Sequence, residues 1–471
     1  MGGLWNYSPL TDETLHDVAV PQTRPYPDLK GNSHGVRNRT RSSGVNGYTD
    51  PSLTSPVYDK LETNIPRSLM GFSNLDWPST CQLFPPHEDV LDYIHDYADE
   101  VRHLIRFDRQ VSHIRLLDGC QWLVQSRRLF NQGWSDVKED RFDAVLVANG
   151  HFNVPYIPSV PGIEEWNNTF PGSIMHSKFY RNSHSYAGKK TIVVGNSASG
   201  TDIARQIATM CELPLLQSQR SESYLLPEAS ETIVPKPEIA RFEPASRTVH
   251  FKDGSCEFGI DAVLYCTGYF YSYPFLRSLE PPLITTGERV ENLYNHIFYR
   301  PNPTLAFVAL NQKVIPFPIA EAQSAVVARV WSGRIALPSS ADMAEWEAAT
   351  LREAGNARSF HVLKFPQDAN YINALHDWAM SADRLSSGKL AVAQRQRSKD
   401  QTYDPETDDG SAGDCCESGK MPPYWDEKAY WTRERFPAIK KAFQQSGEER
   451  HSRRTLESVG FDFERWKRGG A

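Results

Sequence analysis

No stretch of this 471-residue chain reaches the roughly 18 consecutive apolar residues that a bilayer crossing requires, and its opening lacks the basic-then-apolar pattern of an export signal. These absences predict a cytoplasmic protein with no membrane span. Positive charge is also short: 51 Lys and Arg stand against 58 Asp and Glu, a net charge of −7 with the signs mixed. No basic stripe results, which argues against nucleic acid or an anionic membrane surface as a partner. Cysteine is scarce. The seven, Cys81, Cys120, Cys211, Cys256, Cys266, Cys415 and Cys416, are odd in number and show no metal-ligand spacing. No metal site is expected from them, and they read as free thiols in a reducing compartment, with Cys415 and Cys416 an inert surface pair.

Aromatics are plentiful, with eleven tryptophans and twenty tyrosines, and the length allows two or three domains. Residues 20–56 are dense in Pro, Gly, Ser and Asn and read as a surface loop. In "EDVLDYIHDYADEV" the spacing of Val90, Ile94, Tyr97 and Val101 predicts an amphipathic helix. A repeated strand follows. "FDAVLVANGHF" begins at Phe142 and "IDAVLYCTGYF" at Ile260, an offset of 118, and each is a buried-type run ending in a glycine turn. Two copies imply two nucleotide-binding-like units.

Between them lies "KKTIVVGNSASGTDIARQIATMC". Thr191 to Val194 read as a strand, the glycine turn comes next, and Ile203, Ala204, Ile207, Ala208 and Cys211 trace one helix face. Gly195 makes the bend, Ser197 stands where a second glycine usually admits a pyrophosphate, and Gly200 allows close helix packing. The helix start, through Ser199, Gly200, Thr201 and Asp202, offers partial positive charge to phosphate oxygens. An NAD site would place an acid at the end of the next strand. Here Gln217 and Ser218 hold that place and Arg220 follows, which points to NADPH.

"FPGSIMHSKFY", with Phe170, Gly172, His176 and Tyr180, resembles the fingerprint of the flavin-dependent monooxygenases that use one chain for FAD and NADPH. The resemblance implies that His176 organises a domain linker rather than transferring protons. "LETNIPRSLMGFS" resembles the family segment that carries an asparagine over the flavin, which implies Asn64 as the active-site residue, with Thr63 and Ile65 beside the cofactor. "MGGLWNYSPL" resembles the family's GGxW turn, which implies a turn at Gly2 and Gly3 with Leu4 and Trp5 near the flavin. "CTGY" at Cys266 to Tyr269 is similar to a late signature of the NADP domain. "LAFVALNQKVIPFPIAEAQSAVVARVWSG" resembles the return to the FAD domain, which implies Glu321, Ala322 and Gln323 near the flavin. "MPPYWDEKAYW" resembles the tail of fungal members.

The family's first motif, GxGxxG on an opening strand, is absent, as is the acid that would hold the FAD ribose; "ANG" at Asn149 replaces the usual "ATG". The expected fold is α/β, with two Rossmann-like dinucleotide-binding domains, an FAD domain interrupted by an NADPH domain, and the FAD domain N-terminally incomplete. The expected division is FAD domain 1–165, NADPH domain 166–300, FAD domain return 301–390, and a linker with a helical tail 391–471. The resemblance implies an FAD- and NADPH-dependent monooxygenase that passes one oxygen atom of O2 to the nitrogen or sulfur of a small molecule, in fungal secondary metabolism. Two alternatives stand beside it. One is Baeyer–Villiger oxidation, whose branch usually ends the fingerprint in tryptophan where Tyr180 stands; the other is a catalytically silent NADP-binding protein.

Overall fold

The computed structural model describes residues 3–9, 19–26, 54–117, 121–130, 133–221, 231–397 and 420–469. Gly2, most of the expected loop, and Cys120, Cys415 and Cys416 lie outside the described residues.

Helix α1 (His87–Ala98) forms where the apolar spacing predicts one. Its buried face differs: Val90 and Tyr93 are 0% and 2% exposed, whereas Val101 lies beyond it in a 3-10 turn and is exposed. Tyr93 is drawn inward by Trp77, stacked on it at 3.9 Å between ring centroids. Strands β1 (Arg109–Leu117), β2 (Gln121–Phe130) and β3 (Lys138–Phe142) make an antiparallel sheet with β2 central. The first copy of the repeat then gives β4 (Val145–Val147).

A second, parallel sheet follows. It is built from β5 (Ile174–His176), β6 (Lys190–Val194), helix α2 (Ala198–Ala208), β7 (Glu212–Ser218) and β8 (Ile233–Lys236). A small antiparallel meander of β9 (Ile239–Glu243), β10 (Thr248–Phe251) and β11 (Cys256–Glu257) intervenes, and β12 (Ala262–Tyr265), the second copy of the repeat, completes the sheet. The spatial order is β8-β7-β6-β12-β5, every pair parallel. Helix α2 buries Ile203, Ala204 and Ile207 against it, so the apolar stripe read from the sequence is the face that packs. Such sheets bind ligands outside the carboxyl ends of their strands.

The chain then returns through β13 (Leu293–Tyr294), β14 (Phe298–Tyr299) and β15 (Leu305–Phe307), in the order β13-β14-β15-β4, with β15 parallel to β4. Packing across the expected border at 300/301 begins well before it. Tyr271, Tyr273, Leu276, Leu283 and Val290 already share a core with Trp122 and Val147, because the return is governed by burial that precedes the recognisable motif. Helix α3 (Pro316–Trp331) follows. Helix α4 (Gln367–Arg397) continues past Leu390, where the composition predicts a linker. Helix α5 (Glu427–Gln445) buries Trp431, Phe436, Ile439 and Phe443, and its core includes Leu83, Phe84 and Phe463.

Candidate active site

At the carboxyl ends of β6, β7 and β12 opens a cavity of about 2250 Å³, which also reaches the face of β1, β2 and β4. Single small-molecule sites are usually ~300–1,000 Å³, so this one has room for more than one extended ligand. Gly3, Leu4, Trp5, Asn64, Ile65, Gly195, Ser197, Ser199, Ser218 and Arg220 line it.

Two glycines shape the phosphate end. A Cβ at Gly195, where φ is +110°, would meet the Cys266 carbonyl oxygen at 2.6 Å, and one at Gly200 would meet the Gly195 carbonyl oxygen at 2.3 Å. Gln217 donates from Nε2 to the carbonyls of Gly195 (3.1 Å) and Gly200 (3.3 Å), bracing the turn from below. Ser197 is the N-cap of α2 without a side-chain cap bond, in extended backbone that needs no glycine. Ser197 and Ser199 are exposed to the cavity.

Farther along the rim, Arg220, 74% exposed in its side chain, pairs with Glu238 at 2.5 Å. Lys252 pairs with the same carboxylate, also at 2.5 Å. The two cations and one acid leave a net positive corner beyond β7. Sequence reasoning found Arg220 by its distance from the glycines and missed Lys252, which the β9–β10 hairpin brings in from the meander.

At the opposite end, Gly3–Trp5 forms a 3-10 turn with Gly3 at φ +48°. Arg181, just past the fingerprint, fastens this segment: Nε donates to the Ser8 carbonyl at 2.8 Å and Nη2 to the Ser55 carbonyl at 2.8 Å. The Ser55 hydroxyl in turn donates to the Leu4 carbonyl. Nearby, Asn64 is half-buried, and nothing among the described residues is hydrogen-bonded to its side-chain amide.

Seven of the expected contacts do not line the cavity. Thr63 is buried and donates from Oγ1 to the Ile65 carbonyl at 2.9 Å. Gly200 and Thr201 lie behind the turn, with the Thr201 hydroxyl on the Asn196 carbonyl at 3.1 Å. Asp202 points away from the turn and accepts from Tyr58 (2.5 Å) and Gln206 (3.0 Å). Gln323 is 0% exposed; it accepts from the Ala309 amide at 2.8 Å and so holds the loop that lines the cavity. Glu321 and Ala322 are buried as well, Glu321 taken up by Ser73 and Lys420. Ser218 lines the wall with its hydroxyl already donated to the Pro237 carbonyl at 2.9 Å. These side chains turn inward because the strand and helix periods aim them at the core, which adjacency to a motif does not reveal.

His176 is locked between β5 and the glycine turn of the second repeat. Its Nδ1 accepts from the Lys178 amide at 3.1 Å and its Nε2 donates to the Gly268 carbonyl at 3.0 Å. Burial pushes its pKa down to about 3, so the ring is neutral and both nitrogens are engaged. His151, in the turn of the first repeat, differs. It is buried on the cavity wall, and neither ring nitrogen makes a well-formed hydrogen bond among the described residues. Burial, against a weaker pull from the Ala309 backbone, takes its pKa down to about 4.

The donor set suits dinucleotides. The Gly195–Gly200 cradle, whose two missing Cβ atoms leave the backbone approachable, and the start of α2 fit a pyrophosphate. Arg220 and Lys252 fit an added phosphate. Trp5, Ile65, Asn64 and the under-used nitrogens of His151 fit a ring and its polyol chain. Among the described residues a second glycine-rich cradle is not present. Nor does any described helix have the length and apolarity to cross a membrane, or any described group of acids, histidines and cysteines the makings of a metal site.

Fold and site together have the form of a dinucleotide-binding α/β protein. The flavin-binding monooxygenase-like family profile matches residues 52–240 and 230–385. A flavin-containing monooxygenase of Aspergillus flavus, ustF2, is 28% identical over 433 residues, 83% of this chain and 87% of its own length. The Arabidopsis thaliana flavin-containing monooxygenase FMO GS-OX-like 6 is 36% identical over 343 residues, 68% and 69% of the two chains. Among solved structures, the S-allyl-L-cysteine S-oxygenase of Allium sativum matches with a TM-score of 0.64 at 27% identity, covering 93% of this chain and 91% of that one. The chain belongs to the flavin-containing monooxygenase family, whose enzymes use FAD and NADPH.

Proposed function

We propose that this enzyme transfers one oxygen atom of O2 to a soft heteroatom of a small molecule, sulfur ahead of nitrogen. The observation that carries the reading is Asn64, its amide unspent among the described residues and facing the same cavity as the glycine cradle and Trp5. The likeness to an S-oxygenase over 93% of the chain supports sulfur. Tyr180, where the Baeyer–Villiger branch has tryptophan, supports heteroatom over carbonyl oxidation.

When bound, the cofactors supply a hydride and a reduced flavin that activates O2. The protein's part is to bind, orient and exclude water. Gly195, Ser197, Ser199 and the start of α2 would hold the NADPH pyrophosphate, and Arg220 and Lys252 would take its extra phosphate. Asn64 would offer its side-chain amide to the bound cofactors from the cavity wall. Trp5, Ile65, Phe317 and Phe436 wall the cavity against solvent. His176 carries no proton in the cycle; it fixes Gly268. We assign the NADPH domain to residues 166–270, the FAD domain to the segments on either side, and the reaction to the cytoplasm and to fungal secondary metabolism.

One observation favours a second reading, a silent NADP-binding protein: a single glycine cradle stands among the described residues. The purified chain, titrated with FAD and followed by its visible spectrum, decides. A stoichiometric flavin band bleached by NADPH, with sulfoxide formed from a thioether, is expected. A chain that binds NADPH and leaves FAD free would overturn the oxygenase reading, and a ketone turned over in preference to a thioether would overturn the heteroatom assignment.

A further inference from the structure

The segment that carries Asn64 is held on one side from within the part of the chain that the family profile matches and on the other from beyond it. On one side the Thr63 amide donates to the Pro85 carbonyl at 2.9 Å. On the other, Lys440 of α5 reaches in: Nζ donates to the Thr63 carbonyl at 2.8 Å and lies 3.5 Å from Glu62 Oε2. Arg450, in the 3-10 turn after α5, adds Nε to Glu62 Oε1 at 3.3 Å. Lys440 is buried with its ammonium over the rings of Phe84 (4.5 Å) and Phe443 (5.3 Å), and the Asp202 carboxylate of α2 also bears on it. Asn64, Ala198, Asp202, Phe436 and Lys440 line one small gap behind the cavity wall. Glu62 and Thr63 are therefore tied down on both sides while the next residue, Asn64, keeps its amide unspent among the described residues.

We propose that Lys440 and Arg450 are positioning residues for oxygen transfer, holding Glu62 and Thr63 so that the Asn64 amide keeps its aim, and that the C-terminal helical segment is thereby part of the active site. This rests on the role given to Asn64 above. A lysine suits the task because its charge strengthens the bond to a carbonyl, and because a buried cation that must keep Glu62 close allows one loop geometry.

The test uses the full chain with Lys440→Met, Lys440→Arg, Asn64→Ala and the double variant K440M/N64A. Hydrogen exchange without added cofactor reads the clamp directly. In Lys440→Met, exchange in the peptide spanning 61–70 should rise about tenfold, the factor that one charge-assisted hydrogen bond is worth, with the peptide spanning 190–208 unchanged. In the FAD-loaded enzyme the same variant should release more peroxide per NADPH consumed and lower kcat more than it raises KM, with Lys440→Arg restoring part of both. K440M should add nothing to N64A.

Unchanged exchange at 61–70, or losses that multiply in the double variant, would overturn the proposal. Asn64→Ala with intact coupling would instead overturn the role of Asn64, and the positioning role with it. Should Lys440→Met fail to fold, Glu62→Gln removes the other side of the same clamp and is read in the same two ways.

Discussion

Gly200 and Arg220 show two kinds of residue-scale evidence. Gly200 is required by contact: an added Cβ sits 2.3 Å from a backbone carbonyl that cannot swing aside without opening the turn. Gly200→Ala should cost about 1–3 kcal/mol of stability, as overpacking does, and weaken NADPH binding, seen by thermal denaturation and by titration. Arg220 is required by charge. Arg220→Ala should weaken NADPH by about tenfold and NADH little, since the lost contact is to the extra phosphate. Lys252 beside it predicts that the double variant falls a further order of magnitude. Equal losses for the two coenzymes would refute the assignment. Arg220 was legible because its place is counted along one strand–turn–helix–strand unit. Lys252 was not, because a hairpin brings it across. Adjacency to a motif suggests Asp202, Thr201 and Gln323 as contacts; Thr201 and Gln323 are buried, and Asp202 turns to Tyr58 and Gln206.

Elements were legible where the information is local. The strand, turn and helix from Lys190 to Ala208 follow from an apolar run, a glycine and a periodic stripe in sequence. The return at Tyr271 was not, because nothing in those residues says that Trp122 is their neighbour. Helix α5 is the same case: its aromatics announce a buried face but not what it covers. Its most buried polar tie is Arg433, whose Nε donates to Asp368 at 2.6 Å, with Asp368 0% exposed. Removing one partner strands the other. Arg433→Met should destabilise the protein by about 3–5 kcal/mol in urea unfolding, and adding Asp368→Asn should recover part of that loss. A loss from Arg433→Met below about 1 kcal/mol, the scale of an exposed pair, would show that α5 is not held by this contact.

At the scale of the molecule, four of the histidines among the described residues are buried without charge. Burial takes His151 to about 4 and His176 and His296 to about 3, and pushes His361 well down, with His296 and His151 adding to it. Geometry fixes the last pair: His361 Nε2 accepts from the Val290 amide at 3.1 Å, so its Nδ1 bears the hydrogen donated to His296 Nδ1 at 3.0 Å. In the unfolded chain each would titrate near ~6.5. As pH falls below that value the unfolded state takes up protons the folded state refuses, so stability is full above about 7 and drains on acidification until the folded pKa values are reached. With all four contributing, the loss approaches ~5 kcal/mol per pH unit near pH 5. The net charge of −7 sharpens the sign, because adding protons to an acidic chain relieves repulsion and would by itself stabilise the fold. Melting temperatures recorded from about pH 7.5 to 5 should therefore fall, and His296→Gln should make the fall shallower by one proton's worth. A flat profile over that range would mean that these rings are protonated in the folded protein, and the tautomers that fix His361 against Val290 would be wrong.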